Sequence, residues 1–449
     1  MNKLLFITKN HKAMNHQPKF YRGWKLIELA GKTALGYYSF LKMNHKPLKI
    51  RDATESFQVS LKLRKQLYLT KVIKFNNKYY STPAIPGFPS SAFNNMIANG
   101  GLNYLQAGTA KKKHIDSVLL AISNKCNLNC THCYEFHNLN SHIDIPARKW
   151  LEVIEALQQD GAGIIILTGG EPLLDFDKTL EILKKADKTK SEFHIHTSGN
   201  GLTQQMVKEL KDSGLTAAAV GLDDVSKERF DKIRGNGSFD NALKALELFN
   251  EEGILTYVNL CATKSFVQSG DLWKYFDFVR ALNVGMIQLL EPRPNGALFN
   301  KNVDELITDN ERKILREFMT IGNTNKKYKD YPLIYYLAHI EGANQMGCMM
   351  GGLFHFYIDS LGNVNPCVFL PVSFGNILET DFKTIYERMR KAIPAPIHSE
   401  CPSLLLSNAL RMKNLDGNRI PISYDELKAE WDNLYSQSPN DLLIKIEKE

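Results

Sequence analysis

The central part of the chain alternates short apolar runs with amphipathic stretches. The apolar runs predict strands at 117–123, 163–168, 193–197, 216–222, 254–262 and 286–290. The stretches between them, with apolar positions three or four residues apart, predict helices at 147–160, 177–187, 203–213, 240–252 and 271–282. Several of these helices end at a glycine, as helix C-termini often do. Strands and helices in this order predict an α/β fold with a parallel sheet, either open or closed into an incomplete barrel.

The two flanking segments have different patterns. Residues 1–114 contain a basic amphipathic stretch at 24–41, an expected hairpin turn at Asn76–Asn77, and a Pro-, Gly- and Ser-rich run that we interpret as a linker over 81–114. The C-terminal part begins near a predicted helix at 309–320 and ends in a charged helix at 424–448. We therefore expect an N-terminal region 1–114, an α/β core 115–310 and a C-terminal region 311–449.

The composition excludes several classes of protein. The chain has 449 residues, of which 43% are hydrophobic and 23% are charged, as in globular proteins. No stretch approaches the roughly 18–20 apolar residues of a membrane-spanning helix. The apolar run near the N-terminus, Leu4–Thr8, is too short for a secretory signal. We expect a cytoplasmic protein.

The charge is unevenly distributed. Residues 1–114 hold 20 Lys and Arg but only three acids, a net charge of +17, whereas the remainder carries −9. Such a region attracts anions, and its amphipathic stretch would suit an anionic membrane surface or packing against the core. We expect no nucleic-acid partner, because no DNA- or RNA-binding signature accompanies the charge.

Three cysteines follow the first predicted strand of the core. The segment CNLNCTHC places Cys126, Cys130 and Cys133 in one short loop. Thiolates hold iron–sulfur clusters, and three of them bind three irons and leave the fourth open. Zinc is the rival, because His132 and His137 are close and zinc also takes Cys and His ligands.

The loop CNLNCTHCYE resembles the signature loop of the radical S-adenosylmethionine (SAM) superfamily. The resemblance implies a partial (β/α)6 barrel with a [4Fe–4S] cluster on Cys126, Cys130 and Cys133. It also implies SAM bound to the open iron, and an electron donor of the flavodoxin or ferredoxin type. The reaction would be reductive cleavage of SAM to methionine and a 5′-deoxyadenosyl radical, which abstracts hydrogen from a substrate.

Further motifs extend the resemblance. The segment LTGGEPLL matches the Gly–Gly–Glu motif that seats the SAM amino group, which implies cofactor-binding roles for Gly169, Gly170, Glu171 and Pro172. By the same resemblance, Ser198 in HTSGNGL would bind the ribose, and Arg234 would pair with the SAM carboxylate. His132 stands where an aromatic residue usually lies beside the adenine. Two positions depart from the family pattern: Gly221 replaces a serine and Phe230 replaces a histidine.

A second cysteine pattern lies in the C-terminal region. Cys348, Gly362 and Cys367 have the spacing that opens the auxiliary-cluster domains known as SPASM, or Twitch in the shorter form. The residues between the cysteines predict a hairpin that turns at 361–363 and brings the two thiols together. Only Cys401 follows, so the pattern is truncated and supports one auxiliary cluster.

The fourth ligand of that cluster would be substrate or a side chain such as His355, Asp359 or His398. Alternatively, Cys348, Cys367 and Cys401 are core or zinc-binding cysteines. Cys261 lies within a predicted strand, and we interpret it as a buried apolar residue.

These features predict a radical SAM oxidoreductase, similar to maturases, that acts on a peptide, a protein or another sizeable substrate. One alternative is a membrane lipid or isoprenoid as substrate, and another is a metal-binding scaffold without turnover. No acid or base stands out as catalytic, although Asp223, Asp224 and Glu291 lie at predicted strand ends.

Overall fold

The computed structural model describes residues 16–23, 64–101, 115–301, 306–414 and 420–434, together with single positions between 26 and 32. Most of the amphipathic stretch 24–41, on which the membrane hypothesis rests, lies outside these residues, as does the charged helix beyond residue 434. Within the described part of the chain, no helix is both long enough and apolar enough to cross a bilayer.

In the described part of the chain the strands form three sheets. They are β1 (Lys19–Tyr21), β2 (Val72–Phe75), β3 (Lys78–Tyr80), β4 (Ser117–Ser123), β5 (Ile164–Gly169), β6 (Glu192–Thr197), β7 (Leu215–Gly221), β8 (Leu255–Cys261), β9 (Met286–Leu290), β10 (Leu333–Tyr336), β11 (His355–Ile358), β12 (Val364–Asn365), β13 (Val372–Ser373) and β14 (Ile422–Ser423). The largest sheet has the order β10-β9-β8-β7-β6-β5-β4-β11-β12. Strands β4 to β9 are parallel and correspond to the six predicted strands, which confirms the α/β core.

The helices lie mainly between these strands. They are α1 (Ser91–Ala98), α2 (Ala147–Gln159), α3 (Phe176–Lys185), α4 (Gln204–Asp212), α5 (Lys227–Arg234), α6 (Ser238–Glu251), α7 (Lys264–Gln268), α8 (Leu272–Ala281), α9 (Asp309–Thr324), α10 (Leu337–Ile340), α11 (Phe382–Ala392), α12 (Pro402–Leu405), α13 (Ser407–Lys413) and α14 (Lys428–Leu434). Short 3-10 turns occupy Pro172–Asp175, Gly296–Leu298, Lys326–Tyr328 and Tyr424–Leu427.

Local chemistry accounts for the helix boundaries. Thr203 and Ser226 accept hydrogen bonds from the first turns of α4 and α5, and Thr308 forms a capping box with Glu311 at the start of α9. Gly161, Gly214 and Gly253 follow α2, α4 and α6 with φ of 87°, 93° and 68°, a conformation that costs glycine little. The helices therefore begin and end close to the predicted positions.

The parallel strands are buried on both faces. Every residue of β5 is buried, as expected when helices cover both sides of a parallel sheet. Leu167 and Val220 have no exposed side-chain surface. This packing fixes the strand ends, so the loops at the carboxyl ends of the strands are held on a rigid base.

The C-terminal region extends the core sheet at both edges. β10 pairs parallel with β9, and β11 pairs parallel with β4 from His355↔Ser117 to Ile358↔Leu120. β12 then returns antiparallel to β11, with Gly362 at φ 92° in the turn, which confirms the predicted hairpin. The sheet thus carries the C-terminal hairpin directly beside the strand that leads into the cysteine loop.

The N-terminal strands form a small antiparallel sheet in the order β1-β2-β3. Asn76 and Asn77 have φ of 44° and 62°, and they make the predicted hairpin turn. This sheet packs at the amino ends of the core strands, because Lys78 lies 2.7 Å from Glu192 at the start of β6. Asn76 Nδ2 also donates to the carbonyl of Gly253, just before β8. The N-terminal sheet therefore lies at the opposite end of the core from the cysteine loop.

The interpretation of residues 81–114 as a linker is wrong for residues 91–98. They form α1, which Ser90 caps by accepting from the Phe93 amide. Phe93 and Met96 are buried on one face of this helix. The Pro and Gly residues around it favoured a loop, but the cap and two apolar contacts on the core stabilise a short helix.

Candidate functional site

The cysteine loop begins directly after β4 and is anchored to its neighbours by hydrogen bonds. The Cys126 amide donates to Asn140 Oδ1 at 3.1 Å, and Asn140 Nδ2 donates back to the Cys126 carbonyl at 3.0 Å. The Thr131 amide donates to the carbonyl of Ile233 at the end of α5. Asn200 Nδ2 donates to Asn127 Oδ1 at 2.9 Å. The loop is therefore held by the segments that follow β6 and β7.

Cys126, Cys130 and Cys133 are partly buried and influence one another electrostatically. Burial raises the pKa of all three thiols, that of Cys126 to about 11. Arg234 opposes this at Cys130. A metal must replace these thiol protons when it binds. Three soft donors in one loop fit an iron–sulfur cluster.

Among the described residues, no group of three or more His, Cys, Asp and Glu side chains is arranged around one metal ion. In a cubane each iron takes one protein ligand, so the thiols need not converge on a common point as they do around tetrahedral zinc. His132 and His137 point elsewhere: His132 Nε2 lies 3.6 Å from Asp223, and His137 Nε2 hydrogen-bonds the Gly296 carbonyl. The arrangement is compatible with a cluster.

The end of β5 approaches the entry of the cysteine loop very closely. The Gly170 amide donates to the Ser123 carbonyl at 2.8 Å, and the Glu171 amide donates to the Lys125 carbonyl at 2.7 Å. A Cβ on Gly169 would lie 2.1 Å from the Ser123 oxygen, and one on Gly170 would lie 2.5 Å from the Lys125 oxygen. Both glycines are therefore required by backbone contact with the cysteine loop.

Glu171 is buried and fully engaged by the protein. Its carboxylate accepts from Thr197 Oγ1 at 2.7 Å, from the Ser198 amide at 2.8 Å, from Ser198 Oγ, and from the Leu173 amide at 3.1 Å. Burial raises the pKa of Glu171, and these donors act against that shift. The carboxylate thus fixes the turn after β6, while Pro172 starts the 3-10 turn that leads into α3.

An acid–arginine pair occupies the end of β7. Arg234, the last residue of α5, places Nε 2.5 Å from Asp223 Oδ2, and both side chains are nearly buried. Asp223 Oδ1 also accepts from the Cys261 amide at 3.0 Å. A Cβ on Gly221 would lie 2.4 Å from Arg234 Nη2. The guanidinium therefore takes the space that a serine side chain at position 221 would need, which accounts for the glycine there.

Two sequence expectations change at these strand ends. Cys261 is the last residue of β8 and is partly exposed beside Asp223, so the interpretation of a buried apolar cysteine is wrong. Its amide, rather than its thiol, holds the aspartate. Asp224 pairs through both oxygens with Arg229, each at 2.7 Å. This pair is structural, and of the three acids expected at strand ends Asp223 is the one that influences a thiol of the cysteine loop, that of Cys130.

Glu291 follows β9 and is surrounded by donors. Arg293 Nη1 lies 2.6 Å and Arg312 Nε 3.2 Å from Glu291 Oε2, and Tyr336 donates to the other oxygen. Burial raises the pKa of Cys261 and Cys367, and the Arg293 guanidinium opposes this at both thiols. Arg312 Nη1 also lies 3.2 Å from Asp309 Oδ1, so the two arginines share two carboxylates, and the buried Arg293–Glu291 pair lies beside Cys261.

Residues 293–297, which we call the bridge, connect the cysteine loop to the C-terminal cysteines. The Ala297 amide donates to the Cys133 carbonyl at 2.8 Å, and Asn295 Nδ2 donates to the carbonyl of Val368, next to Cys367, at 2.8 Å. A Cβ on Gly296 would lie 2.1 Å from the Cys133 oxygen. The bridge therefore fixes the cysteine loop relative to the C-terminal cysteines.

Cys348, Cys367 and Cys401 come together from three chain segments. Cys348 pairs with Ile397 in a short antiparallel β contact, in which the Cys348 amide donates to the Ile397 carbonyl at 2.8 Å. The Gly351 amide donates to the Pro366 carbonyl, which joins the strand before Cys367 to the loop after Cys348. Burial raises the pKa of Cys348 and Cys367, and the thiol of Cys401 raises both further. Three neighbouring thiols fit an auxiliary cluster.

Sequence reasoning missed Glu135, which links the two regions. Glu135 follows the cysteine loop and is buried, and it accepts from Ser360 Oγ at 2.6 Å and from Tyr357 Oη. No sequence spacing signals a contact across more than 220 positions. The available signal was an acid close to the cysteines, because Glu135 lies two positions after Cys133. The fold then buries this acid.

The comparisons with known proteins agree with this arrangement. The model of the radical SAM superfamily matches residues 120–265, and the model of the SPASM iron–sulfur cluster-binding domain matches residues 348–402. These ranges include both groups of three cysteines.

The AdoMet-dependent heme synthase of Methanosarcina barkeri is 27% identical over 286 residues, covering 58% of this chain and 79% of that protein. The Fe-coproporphyrin III synthase of the same organism is 25% identical over 362 residues, covering 74% and 88%.

Among solved structures, SuiB of Streptococcus suis bound to its precursor peptide SuiA has a TM-score of 0.54 at 17% identity. The match covers 82% of this chain and 89% of that one, and it shows that the fold is shared. The radical SAM domain carries a [4Fe–4S] cluster and SAM, and the SPASM domain carries an auxiliary iron–sulfur cluster. The chain therefore contains a radical SAM domain, and a SPASM domain follows it in the C-terminal region.

Proposed function

We propose that this protein is a peptide-modifying radical SAM enzyme, similar to maturases, whose substrate lies between the cluster on the cysteine loop and the auxiliary cluster. When bound, the catalytic cluster supplies the electron that cleaves SAM, and the resulting radical abstracts hydrogen from the substrate. The observation that carries the proposal is the bridge, which joins the Cys133 carbonyl to the backbone beside Cys367.

In this proposal Cys126, Cys130 and Cys133 hold the catalytic cluster. Gly169 and Gly170 let the end of β5 lie against the cysteine loop, so SAM on the open iron would meet the backbone there. Glu171 and Pro172 shape that backbone. Glu171 acts chiefly by holding the turn at Ser198, because four protein donors already use its carboxylate.

The other SAM contacts are proposed on the same geometry. The Ser198 hydroxyl donates to Glu171, so toward the ribose it would accept a hydrogen bond. Arg234 pairs with Asp223 through Nε, and its other two guanidinium nitrogens would donate to the SAM carboxylate. Burial lowers the pKa of His132, which favours a neutral ring beside the adenine. Asp223 orients both Arg234 and His132.

The substrate position follows from the charges between the two cysteine groups. Arg293 is buried, faces Cys261 and Cys367, and shares Glu291 with Arg312. Arg293 donates from Nη1 to Glu291, and its other guanidinium nitrogens would be offered to an anion such as a carboxylate. We propose that Arg293 orients a carboxylate of the substrate.

Two observations support a peptide. SuiB, which shares the fold over most of both chains, was solved with a precursor peptide. The N-terminal β1-β2-β3 sheet provides a small antiparallel module of the kind that binds extended peptides by strand addition.

A second candidate substrate is an iron porphyrin, and the relatives favour it. The two Methanosarcina barkeri proteins are named for heme synthesis and for Fe-coproporphyrin III synthesis. A carboxylated porphyrin would also suit Arg293 and Arg312.

The test compares the two substrate classes on one reconstituted preparation. The protein, SAM and dithionite are incubated anaerobically with a pool of synthetic peptides that contain acidic side chains or with Fe-coproporphyrin III. We expect a peptide of the pool to change mass and to raise 5′-deoxyadenosine release above the substrate-free rate. An increase with Fe-coproporphyrin III alone would favour the second candidate, and no response to either would contradict the proposed substrate position.

A further inference from the structure

A hydrogen-bonded chain of two histidines and a tyrosine lies on one face of the core sheet, and the proposed function does not use it. Tyr257 Oη lies 3.2 Å from His194 Nδ1 and 3.0 Å from His196 Nε2. Asn259 Nδ2 lies 3.4 Å from His196 Nδ1 and extends the chain by one residue. His194 and Tyr257 are buried. His196 and Asn259 are partly exposed, so a ligand can reach this end of the chain.

Small residues on β7 make room for the chain. In the sheet register His196 of β6 lies beside Ala219, and Ala219 lies beside Tyr257 of β8. His194 lies beside Ala217 in the same way. Because these two β7 side chains are single methyl groups, the side chains of β6 and β8 can meet above them.

The exposed end of the chain lies on the face that carries a proposed SAM contact. Gly221 is the next residue along this face of β7, and it pairs with Asn259 in the register. The Arg234 guanidinium covers Gly221, since a Cβ there would lie 2.4 Å from Nη2. We propose above that Arg234 binds the SAM carboxylate. His196 and Asn259 are therefore placed on the side of the sheet where SAM and substrate would meet.

The Asn259 amide sets the direction of the hydrogen bonds. His196 Nδ1 accepts from Asn259 Nδ2, so His196 carries its proton on Nε2 and donates to Tyr257 Oη. Tyr257 in turn donates to His194 Nδ1, and His194 carries its proton on Nε2. That nitrogen is buried and has no hydrogen-bond partner in the described part of the chain. An unpartnered buried N–H costs about 1–3 kcal/mol, which a purely structural network would avoid.

Both rings are neutral near physiological pH and can therefore accept a proton. Burial lowers the pKa of His196 to about 4. Burial also lowers the pKa of His194 to about 3, and His196 and the Lys78 ammonium add to that shift. Lys78 is paired with Glu192 at the start of β6, and among the described residues no carboxylate contacts either ring.

We propose that His196 takes the proton that the substrate loses when its radical is oxidised, and that Tyr257 and His194 carry the charge into the core. The substrate gives a hydrogen atom to the 5′-deoxyadenosyl radical, an electron to the auxiliary cluster and a proton to His196 Nδ1. His196 passes its Nε2 proton to Tyr257, which passes its own proton to His194 Nδ1. The reverse shifts return the proton after the product leaves.

A weak base suffices for this step. A carbon radical that gives up an electron leaves a strongly acidic N–H or C–H beside the oxidised carbon, so a neutral imidazole within reach can remove that proton. This inference rests on the proposed function, because the auxiliary cluster is the oxidant.

The test separates SAM cleavage from completion of the substrate reaction. Wild type, His196→Gln, Tyr257→Phe and His339→Gln are reconstituted anaerobically as full-length proteins. Each is incubated in D2O with SAM, dithionite and the synthetic peptide that the wild type modifies. The amounts of 5′-deoxyadenosine, modified peptide and carbon-bound deuterium in the unmodified peptide are then measured.

His339→Gln is the matched control. Burial also lowers the pKa of His339 to about 4, and its Nε2 is likewise buried without a hydrogen-bond partner among the described residues. His339 lies on α10, outside the hydrogen-bonded chain.

We expect His196→Gln to release 5′-deoxyadenosine within about twofold of the wild-type rate but to form modified peptide about a hundredfold more slowly. Glutamine keeps a hydrogen-bond donor for Tyr257 but does not take a proton. The unoxidised substrate radical then receives an electron from dithionite and a deuteron from solvent, so the recovered peptide should gain one deuterium on carbon. Tyr257→Phe, which stops the onward transfer, should show the same change to a smaller extent. His339→Gln should match the wild type.

The proposal is overturned if His196→Gln keeps the wild-type ratio of modified peptide to 5′-deoxyadenosine, or if His339→Gln loses product equally. Loss of SAM affinity in His196→Gln, measured by anaerobic dialysis, would also overturn it, because the ring would then serve the SAM site. Far-UV circular dichroism checks folding, and Tyr257→Phe decides by the same ratio if His196→Gln does not fold. A wild type that cleaves SAM but modifies no peptide would contradict the proposed function itself, which is a distinguishable result.

Discussion

Replacing Glu171 by Gln tests whether this carboxylate acts through the turn after β6. Leu173 and Ser198 donate backbone N–H groups to it, and the hydroxyls of Thr197 and Ser198 donate as well. A glutamine keeps one carbonyl oxygen and faces the other pair of donors with an NH2 group. In either amide orientation one hydroxyl can turn round, but one backbone N–H loses its acceptor.

The magnitude follows from two opposing effects. An unsatisfied buried N–H costs about 1–3 kcal/mol. Burial raises the pKa of Glu171, so the neutral amide recovers part of the cost of burying a charge. We expect a net loss of about 1–2 kcal/mol, which corresponds to a Tm lower by about 1–2 °C for a chain of this length. SAM affinity should fall about tenfold, because the Ser198 turn is no longer fixed.

Thermal unfolding of the apo-protein by circular dichroism gives the stability, and anaerobic equilibrium dialysis of the reconstituted protein gives the SAM affinity. Glu209→Gln is the matched control, because Glu209 is partly exposed on α4 and its carboxylate accepts a hydrogen bond only from Gln205 among the described residues. It should change stability by less than about 0.5 kcal/mol. If Glu171→Gln leaves Tm unchanged but abolishes SAM binding, the carboxylate contacts SAM directly and our reasoning is refuted.

Three further predictions follow from other contacts. Gly221→Ser should displace the Arg234 guanidinium, which would lie 2.4 Å from the new Cβ. We expect SAM affinity, measured by anaerobic dialysis, to fall at least tenfold while the iron content stays normal. An unchanged affinity would contradict the role of Arg234. Gly296→Ala should separate the bridge from the Cys133 carbonyl and lower both cluster occupancy and Tm. Normal iron content together with a normal Tm would contradict the claim that the bridge holds the cysteine loop. Burial lowers the pKa of Lys71 to about 6, below the value of roughly 10.4 in an unfolded chain. Between these pH values the unfolded state binds one proton more than the folded state. The free energy of urea unfolding should therefore rise with pH by up to about 1.4 kcal/mol per pH unit, and Lys71→Met should remove this contribution. Equal pH slopes in the two proteins would contradict the low pKa of Lys71.

The sequence predicted the core closely because its signals are local. Apolar runs, cap residues and the glycines at 161, 214 and 253 define the six strands and the helices between them. The cysteine loop and the Gly–Gly–Glu segment lie together because the carboxyl ends of neighbouring parallel strands meet at one edge of the sheet.

The remaining features depend on contacts between distant positions. The Asp223–Arg234 pair, the bridge from Cys133 to Val368, and the Glu135 contact with Tyr357 have no sequence period that announces them. Cys261 was placed in a strand correctly, but its position at the strand end beside Asp223 depends on where the sheet stops. The composition around α1 favoured a loop, but the Ser90 cap and the buried side chains of Phe93 and Met96 stabilise a helix there.

The central claim is that Cys126, Cys130 and Cys133 hold the cluster that cleaves SAM. The most direct measurement is 5′-deoxyadenosine released from SAM and dithionite by the anaerobically reconstituted protein, compared with the Cys130→Ala variant. We predict product from the wild type and none from the variant, while the variant keeps the auxiliary cluster of about four irons. A wild-type preparation with both clusters intact that releases no 5′-deoxyadenosine would contradict the account.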